Sequence, residues 1–454
     1  MSGRGGPRAA SNVNAVETDA TDEHGTWLIE PSGPLHGDVH VRGSKNAVTK
    51  HLVAAMLGGT PSRIANAPEH GEVGITTQIL KSLGVGVSHE GSVLVVHPTA
   101  SPAAEVPVRF TGLNRIPILL LGPLLSLVGE AFVPLVGGDR IGRRPIDFHV
   151  NALRAMGAEI KEREDGVEAK SLRLRGAKIE LPYPSVMATE SVLLAAVLAE
   201  GKTVLKNAAT EPEIVELALF LQRMGASVEL QPNRRIVVEG VDRLTGASTT
   251  LAGDRMEAFS YLCAGLVTGG EVRVGGCPQD RLVTAINTLH RMGARVEVTD
   301  DWITASAPDG LRPVAVQTDT HPGFMTDWQT PLVVLLSQAD GMSVLHETVF
   351  ENRFVYVPAL KDMGLEIELF ETCLGGPACR FNDTNYRHSA VVKGVSRLSG
   401  AEVTVPDVRA GFSSVIAAAA ADGASVLHDI HHLVRGYDRP EESFRALGLS
   451  LRTR

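Results

Sequence analysis

A five-residue phrase ending in glycine recurs six times along the chain, and this repeat restricts the fold more than any other feature. The copies are Leu80-Lys-Ser-Leu-Gly84, Leu153-Arg-Ala-Met-Gly157, Leu221-Gln-Arg-Met-Gly225, Leu289-His-Arg-Met-Gly293, Leu360-Lys-Asp-Met-Gly364 and Phe444-Arg-Ala-Leu-Gly448, spaced by 73, 68, 68, 71 and 84 residues. Each closes a helical pattern and opens a β-rich run such as Ala226-Ser-Val-Glu-Leu. Glycine is expected just past a helix because it enters the left-handed conformation without a Cβ penalty. Upstream of each copy an apolar helix of small residues stops at Gly59, Gly129, Gly201, Gly270, Gly341 or Gly423, and a short strand follows. The unit therefore reads helix, strand, helix, strand, strand. Its first helix is apolar nearly all round and is predicted to be buried; its second is amphipathic.

One such unit cannot bury both of its faces alone. Six units divide into two groups of three, which predicts an α/β protein of two pseudo-symmetric domains. Each would hold three buried helices inside a ring of sheet and outer helices, with a ligand cleft between the domains. A plain α/β solenoid is the alternative at this point. Composition agrees with a repetitive α/β scaffold: 454 residues, 44% hydrophobic, 46 Gly and only 4% aromatic. At roughly 150 residues per domain the length suits two or three domains.

Several partner classes are excluded. The formal charge of −9 lacks the basic footprint of a nucleic-acid binder. Four cysteines in so long a chain rule out a disulfide scaffold and fit a reducing cytoplasm. The longest apolar stretch, Ile116 to Gly129, contains Gly122-Pro123 and is shorter than the roughly 18–20 residues of a membrane span. Residues 1–26 have no apolar signal-peptide core and are expected to be a disordered tail, and their acidic residues at 17, 19, 22 and 23 argue against a transit peptide.

Cations sit at the unit boundaries beside Gly, Asn or Asp: Gly43-Ser-Lys45-Asn46, Asn114-Arg115, Gly142-Arg-Arg144-Pro145, Glu351-Asn-Arg353, Asp407-Val-Arg409 and Arg435-Gly-Tyr437. A lone Lys or Arg is usually a solvated surface residue. Gathered in a cleft, this set would bind an anion with several charges, and phosphate esters fit it best. The Gly-rich stretch Val136-Gly-Gly-Asp139-Arg-Ile-Gly142 is not a nucleotide P-loop; it is either a surface hairpin or a mobile lid over about 134–146. His428, His431 and His432 lack companions that would complete a metal site. Cys373 and Cys379 flank Leu-Gly-Gly-Pro-Ala; a zinc site would need a second pair, so they are read as part of an inserted loop that lengthens the last spacing. No metal site is predicted.

Taken jointly, these motifs resemble the enolpyruvyl transferases, and within them the branch acting on UDP-N-acetylglucosamine. The phrases that carry the resemblance are Gly43-Ser-Lys-Asn-Ala47, Gly137-Gly-Asp-Arg-Ile-Gly-Arg-Arg-Pro-Ile-Asp147, Pro184-Ser-Val-Met-Ala-Thr-Glu190, Glu211-Pro-Glu-Ile-Val215, His321-Pro-Gly-Phe-Met-Thr-Asp327, Phe350-Glu-Asn-Arg353 and Arg435-Gly-Tyr437. They run in order through residues 27–454, and the insertion at 366–393 is similar to that of actinobacterial members. The resemblance implies two inverse α/β barrel domains of three repeats each, one made of residues 46–250 and the other of 27–45 plus 251–454. It implies cytoplasmic, monomeric, metal- and cofactor-free transfer of the enolpyruvyl group of phosphoenolpyruvate to a sugar hydroxyl, by addition and then elimination of phosphate.

Roles follow from the same resemblance. Lys45, Arg144 and Arg435 would hold the phosphate and carboxylate of phosphoenolpyruvate, with Arg353 also in the substrate site. Asn46 would orient the acceptor sugar and Arg115 the nucleotide diphosphate. Arg144, Pro145, Ile146, Asp147, Phe148, Ser185, Val186 and Val349 would frame the nucleotide. Asp327 would be the base beside the reacting hydroxyl, and Asp407 and Arg409 would support lid closure. The lid position that is cysteine in most of the family is Asp139 here. To donate a proton, this carboxyl would need a pKa raised by burial, against the pull of Arg140 and Arg143. Fosfomycin inhibits the family by alkylating the lid cysteine, so the substitution implies resistance. Tyr183, Met187, Leu433-Val434 and Arg115-Ile-Pro-Ile also depart from the common pattern. They leave the acceptor open between UDP-N-acetylglucosamine and a simpler uridine nucleotide such as UMP in nucleoside-antibiotic synthesis. An inactive nucleotide-sugar-binding relative is a further alternative.

Overall fold

The computed structural model describes residues 25–139, 141–376 and 379–453. The predicted disordered tail, 1–26, lies outside the described residues apart from its last two. Inner and outer helices alternate as the repeat requires: α1 (Lys45–Ala55), α2 (Gly71–Ser82), α3 (Leu121–Val128), α4 (Asp147–Ala155), α5 (Val186–Ala196), α6 (Pro212–Arg223), α7 (Arg255–Val267), α8 (Val283–Arg291), α9 (Gln329–Leu336), α10 (Val357–Asp362) and α11 (Val408–Ala419), with the sixth outer position split into α12 (His431–Val434) and α13 (Pro440–Ala446). The odd-numbered helices from α1 to α11 are the inner ones, and burial follows the apolar pattern: every residue of α7, α9 and α11 is buried. The six closing glycines all take the left-handed conformation, with φ between 86° and 101°.

The buried apolar side chains form two separate clusters. One gathers residues from Ala47 to Leu251; the other joins Trp27–Val41 to Met256–Leu451. Within the second, α7, α9 and α11 pack on one another. Within the first, α3 packs on α5, while α1 meets α6 and the 3₁₀ turn Ile116–Leu120.

Six small sheets surround these helices. The three-stranded sheet of the second unit has its strand Glu130–Pro134 at the edge; in the other five sheets the strand that follows an inner helix is central. It pairs antiparallel on one side, and on the other it pairs parallel with a short strand that the sequence pattern does not reveal. These extra strands carry the chain from unit to unit. Lys178–Glu180 pairs with Lys202–Lys206, Ala315–Gln317 with Gly341–His346, and Glu402–Thr404 with Ser425–His428. In the second unit the extra strand shrinks to a bridge from Glu105 to Phe132.

Two pairings close the groups on themselves. Ser248–Thr250, after the third unit, pairs with Ser62–Ala65 of the first. Thr26–Glu30 stands between Ser425–His428 and Ser450–Thr453, supplying the strand that the sixth unit lacks, and His36–His40 then pairs with Glu271–Gly275 of the fourth. Trp27 and Ile29 alternate inward on this N-terminal strand, so their burial holds it in the second cluster.

The chain passes between the clusters twice, and the passages lie against each other. Gly43 and Gly253 form an isolated bridge, with Ser44 N–H donating to Ala252 O at 3.0 Å and Asp254 N–H to Arg42 O at 2.8 Å. A Cβ on Gly43 would stand 2.3 Å from Asn66 O, so glycine alone fits this crossing. Among the described residues, no helix is long and apolar enough to cross a membrane.

Glu190 of α5 is fully buried, and burial pushes its carboxyl up to about 7, with Lys50 opposing and Glu213 and Glu211 assisting. An acid whose folded pKa is raised holds its proton in the folded state while the unfolded chain has released it. Stability is therefore lost as pH rises from the ordinary carboxylate range to about 7. Glu190→Gln is expected to raise Tm by about 2–5 °C at pH 8 and by much less at pH 5, read by calorimetry. An equal change at both values would contradict the assignment.

Candidate active site

The unit boundaries of both groups converge on one charged constellation. Lys45 is the first residue of α1, with Ser44 capping the helix and Asp254 Oδ2 accepting Lys45 N–H at 3.0 Å. From the first group come also Glu72 at the start of α2, Asn114-Arg115 before the Ile116–Leu120 turn, and the 134–146 stretch. From the second come Asp327 before α9, Arg353 before α10, Asp407-Val-Arg409 at α11, and Arg435 after α12.

One carboxylate shared by two arginines and one arginine shared by two carboxylates order the centre. Asp327 Oδ1 accepts from Arg353 Nη2 at 3.2 Å and Oδ2 from Arg409 Nε at 3.1 Å. Arg353 and Arg409 are almost wholly buried, at 1% and 3% exposed. Burial would raise the Asp327 pKa, but Arg409, Arg353 and Lys45 outweigh it and hold the carboxyl well below the usual range. Arg435 is shared in turn, with Nη2 3.1 Å from Asp139 Oδ1 and Nε 3.3 Å from Glu72 Oε1. Glu72 also accepts from Asn114 Nδ2 at 3.0 Å, while Asn114 O accepts from Gly137 N–H at 2.9 Å. The root of the 134–146 stretch is thus pinned to the residue next to Arg115.

The tip of that stretch rests on the second group. Ile141 O accepts from Asn352 N–H at 3.0 Å, and a Cβ on Gly142 would come 2.2 Å from Glu351 Oε2. Asp139 thereby faces Arg435. Its expected upward pKa shift is not what this arrangement produces. Burial does push the Asp139 carboxyl up, but Lys45, Arg435, Arg144 and Arg353 together pull it below its ordinary value. Arg140 lies outside the described residues, and the opposing cations are these four rather than the Arg143 of the sequence argument.

Three of the predicted cations have no carboxylate within 4.0 Å among the described residues: Lys45, Arg115 and Arg144. A Cβ on Gly138 would touch both Arg144 Nη1, at 2.6 Å, and Arg115 Cδ, at 3.1 Å, so the two arginines flank the same glycine. Burial and the charge of Arg144 lower Arg115 to about 10. Burial and Arg409 lower Lys45, and burial lowers Arg144. Crowded like charges with depressed pKa values form a site that an incoming anion stabilises.

The residues predicted to frame a nucleotide are less tightly gathered. Asn46 lies half-buried in the first turn of α1, and Ser185 caps α5 through Ala188 N–H at 3.4 Å. Ile146, Phe148, Val186 and Met187 pack as half-buried side chains against the first core cluster, while Pro145 and Asp147 are exposed. Val349 donates its N–H to Glu347 Oε1 at 2.7 Å. Tyr183 lies under the Arg380 guanidinium at 4.6 Å, and Arg380 pairs with Glu351 at 3.3 Å. The inserted segment therefore reaches the rim of the constellation.

A family model described as EPSP synthase (3-phosphoshikimate 1-carboxyvinyltransferase) matches residues 29–444. The chain belongs to this family of enolpyruvyl transferases. The UDP-N-acetylglucosamine 1-carboxyvinyltransferase of Chlamydia pneumoniae is 43% identical over 425 residues, covering 92% of this chain and 93% of that protein. The enzyme of the same name from Halothermothrix orenii is 39% identical over 428 residues, covering 94% and 99%. Among solved structures, the enolpyruvyl transferase NikO from Streptomyces tendae superposes with a TM-score of 0.83 at 24% identity, covering 94% of this chain and 98% of that one. EPSP synthase from Acinetobacter baumannii superposes at 0.72 and 19%, covering 94% and 99%. These two likenesses establish the fold.

Sequence reasoning missed two members of this constellation. Glu72 shares Arg435 with Asp139. His70 is buried, and burial together with Lys45 and Arg409 lowers its pKa to about 3, so its imidazole is neutral. The repeat register held the signal. Glu72, Glu213 and Arg281 each stand 12 residues before their unit's closing glycine, Arg144 and Arg435 stand 13, and Arg353 stands 11. The histidines His428, His431 and His432 form no cluster: His428 bonds Thr26 and Glu402, and His431 stacks on His432. Cys373 and Cys379 do gain a second pair, His346 and His388, from elsewhere in the chain.

Removing the buried Arg353 leaves the half-buried Asp327 carboxylate with Arg409 alone. Arg353→Met is expected to cost about 3–5 kcal/mol of unfolding free energy, measured by urea denaturation at neutral pH. An unchanged midpoint would contradict the pairing described here.

Proposed function

We propose that the chain transfers the enolpyruvyl group of phosphoenolpyruvate to the 3′-hydroxyl of UDP-N-acetylglucosamine with release of phosphate, the first committed step of peptidoglycan synthesis. The observation that carries this reading is the trio Lys45, Arg115 and Arg144, which have no carboxylate in ion-pair reach among the described residues and whose pKa values are lowered chiefly by burial, with Lys45 and Arg144 joining Arg435 around Asp139. Family membership supplies the reaction class, and relatives of 39–43% identity that share one printed name supply the acceptor. In this reading the two core clusters are inverse α/β barrel domains, 46–250 and 27–45 plus 251–454, and the constellation is the cleft between them. The enzyme works as a cytoplasmic monomer.

Each charged group then takes a role. Lys45, Arg144 and Arg435 hold the phosphate and carboxylate of phosphoenolpyruvate, and Arg115 the diphosphate of the acceptor. Asp139 protonates C3 while the sugar hydroxyl attacks C2. Three of the four cations that depress Asp139, namely Lys45, Arg435 and Arg144, are the ones that receive the substrate's negative charges. Binding offsets their pull, the burial effect remains, and the carboxyl holds a proton only when there is a double bond to receive it. Asp327 stays ionised between its two arginines and accepts the hydroxyl proton; Arg353 and Arg409 hold it in place. Loss of phosphate and of a C3 proton from the tetrahedral ketal restores the enol ether. Fixed cations in a closed cleft stabilise the charge that develops at each step.

Phosphate release from phosphoenolpyruvate, with UDP-N-acetylglucosamine and UMP offered separately, tests the reading. Turnover with the first is expected, and turnover with UMP alone would transfer the enzyme to nucleoside-antibiotic synthesis. Lys45→Ala and Arg435→Ala should each lower turnover at least ~100-fold with the fold intact. Near-normal rates in either would refute the site.

A carboxylate is a far weaker nucleophile toward an epoxide than a thiolate. The wild type should resist covalent inactivation by fosfomycin, and Asp139→Cys should acquire time-dependent inactivation while retaining some turnover. Intact mass and residual activity after incubation with acceptor nucleotide decide the matter. A fosfomycin adduct on the wild type would overturn the lid alignment.

A further inference from the structure

The segment inserted after Gly364 carries a side-chain cluster that enolpyruvyl transfer does not use. His346 ends the strand Gly341–His346, and His388 precedes the strand Ser389–Gly394 that pairs with it, so the sheet register brings the two imidazoles together. Their ring centroids are 5.2 Å apart. Cys373 and Cys379 come back over them from the loop beyond Ile367–Phe370. One donor atom from each of the four residues lies within 4.8 Å of all the others. We propose that His346, Cys373, Cys379 and His388 form a tetrahedral Zn²⁺ site.

The hydrogen bonds around the cluster prepare it for a metal. His388 Nδ1 lies 2.7 Å from Tyr386 O. A carbonyl can only accept, so Nδ1 carries the proton and Nε2 offers its lone pair toward Cys373 Sγ, 3.1 Å away. His346 Nδ1 is taken by Ser389 Oγ at 2.8 Å, while its buried Nε2 has no hydrogen-bond partner. A fully buried ring nitrogen without a partner is costly unless a ligand takes its lone pair. Anchoring the far nitrogen of each histidine is how proteins aim imidazoles at metals. Phe381 N–H donates to Cys379 Sγ at 3.4 Å, as backbone amides do to metal-bound thiolates. A Cβ on Gly375 would stand 2.3 Å from His346 Cδ2, so the loop crosses the ring only because this residue is glycine.

Two thiolates and two neutral imidazoles favour zinc among the common divalent ions. Both thiols release their protons to solvent on binding, and the dication with two thiolates leaves no net charge in the half-buried pocket. Bonds of about 2.0–2.3 Å place tetrahedral donors about 3.3–3.8 Å apart, so the ion draws the cluster in by roughly an ångström. It would fasten the insertion to the sheet end immediately before Glu347, whose N–H donates to His388 O at 2.7 Å. Arg380, next to Cys379, would then be held against Glu351 and Tyr183 at the rim of the active site.

The test uses the full chain from a zinc-supplemented culture. Elemental analysis of the desalted protein should find about one zinc per chain, released on titration of the thiols with an organomercurial. Replacement by Co²⁺ should produce sulfur-to-cobalt charge-transfer absorption and the intense visible bands of a tetrahedral ion. The double variant Cys373→Ser, Cys379→Ser should lose the zinc and become cleavable by trypsin after Arg380 or Arg387, where the zinc-loaded wild type is protected. Only trace zinc in protein with both thiols reduced would overturn the proposal, as would a Cys373–Cys379 disulfide in the purified chain. Undiminished zinc in the double variant would do the same. The cobalt spectrum of the wild type decides the question even if the double variant fails to fold.

Discussion

One carboxylate caps helices of both core clusters. Asp254 Oδ1 accepts the first N–H groups of α7, from Met256 at 2.8 Å and Glu257 at 3.3 Å, while Oδ2 accepts Lys45 N–H at the start of α1. The adjacent Arg255 forms a two-pronged ion pair with Glu213, at 2.9 Å for each prong, with both partners buried. Asp254 thus holds the first turn of α1 against the second cluster, and Arg255 holds α7 against α6. The position of Lys45 relative to Asp327, Arg409 and Arg435 depends on these two contacts. Buried capping and charged pairs of this kind are costly to break on one side, because the partner is left without compensation.

The fold makes this convergence systematic. Several units place a helix start at this constellation, with Lys45 at α1, Glu72 at α2 and Asp407-Val-Arg409 at α11. Other charged residues lie beside helix ends, Asp327 and Arg353 just before α9 and α10 and Arg435 just after α12. Helix N-termini favour anions through their free N–H groups and the helix dipole, so the scaffold and the side chains attract the same ligand. The carboxylates Glu72, Asp139 and Asp327 keep the cations apart and oriented. The cations Lys45, Arg435, Arg144 and Arg353 in turn hold Asp139 below its ordinary pKa, in its ionised form. In the proposed reaction, proton delivery would thereby be coupled to occupancy of the anion site.

The repeat was legible because its signals are local. A glycine after a helix needs only its own left-handed backbone, and apolar character on all faces of a helix reports its burial directly. The motif residues Lys45, Asp327, Arg353, Arg409 and Arg435 were legible instead from the family phrases they stand in and from their place at unit boundaries beside Gly, Asn or Asp. Long-range pairings were not. Nothing local to Thr26–Glu30 says that it completes the sixth unit, 400 residues away, or that Ser248–Thr250 closes on the first. His346 and His388 read as ordinary strand residues until the sheet register sets them beside Cys373 and Cys379. The direction of the Asp139 shift was misread because sequence reveals its neighbours in the chain, while Lys45, Arg353 and Arg435 are neighbours in space.

The central claim is that a carboxyl at position 139, readied by anion binding, delivers the proton that starts the addition. Turnover in D₂O tests it most directly, with the enolpyruvyl product examined by mass spectrometry and proton NMR. The account predicts deuterium in the C3 methylene of the wild-type product, and loss of both deuterium uptake and phosphate release in Asp139→Asn. Phosphate release without deuterium at C3, or undiminished uptake in Asp139→Asn, would contradict it.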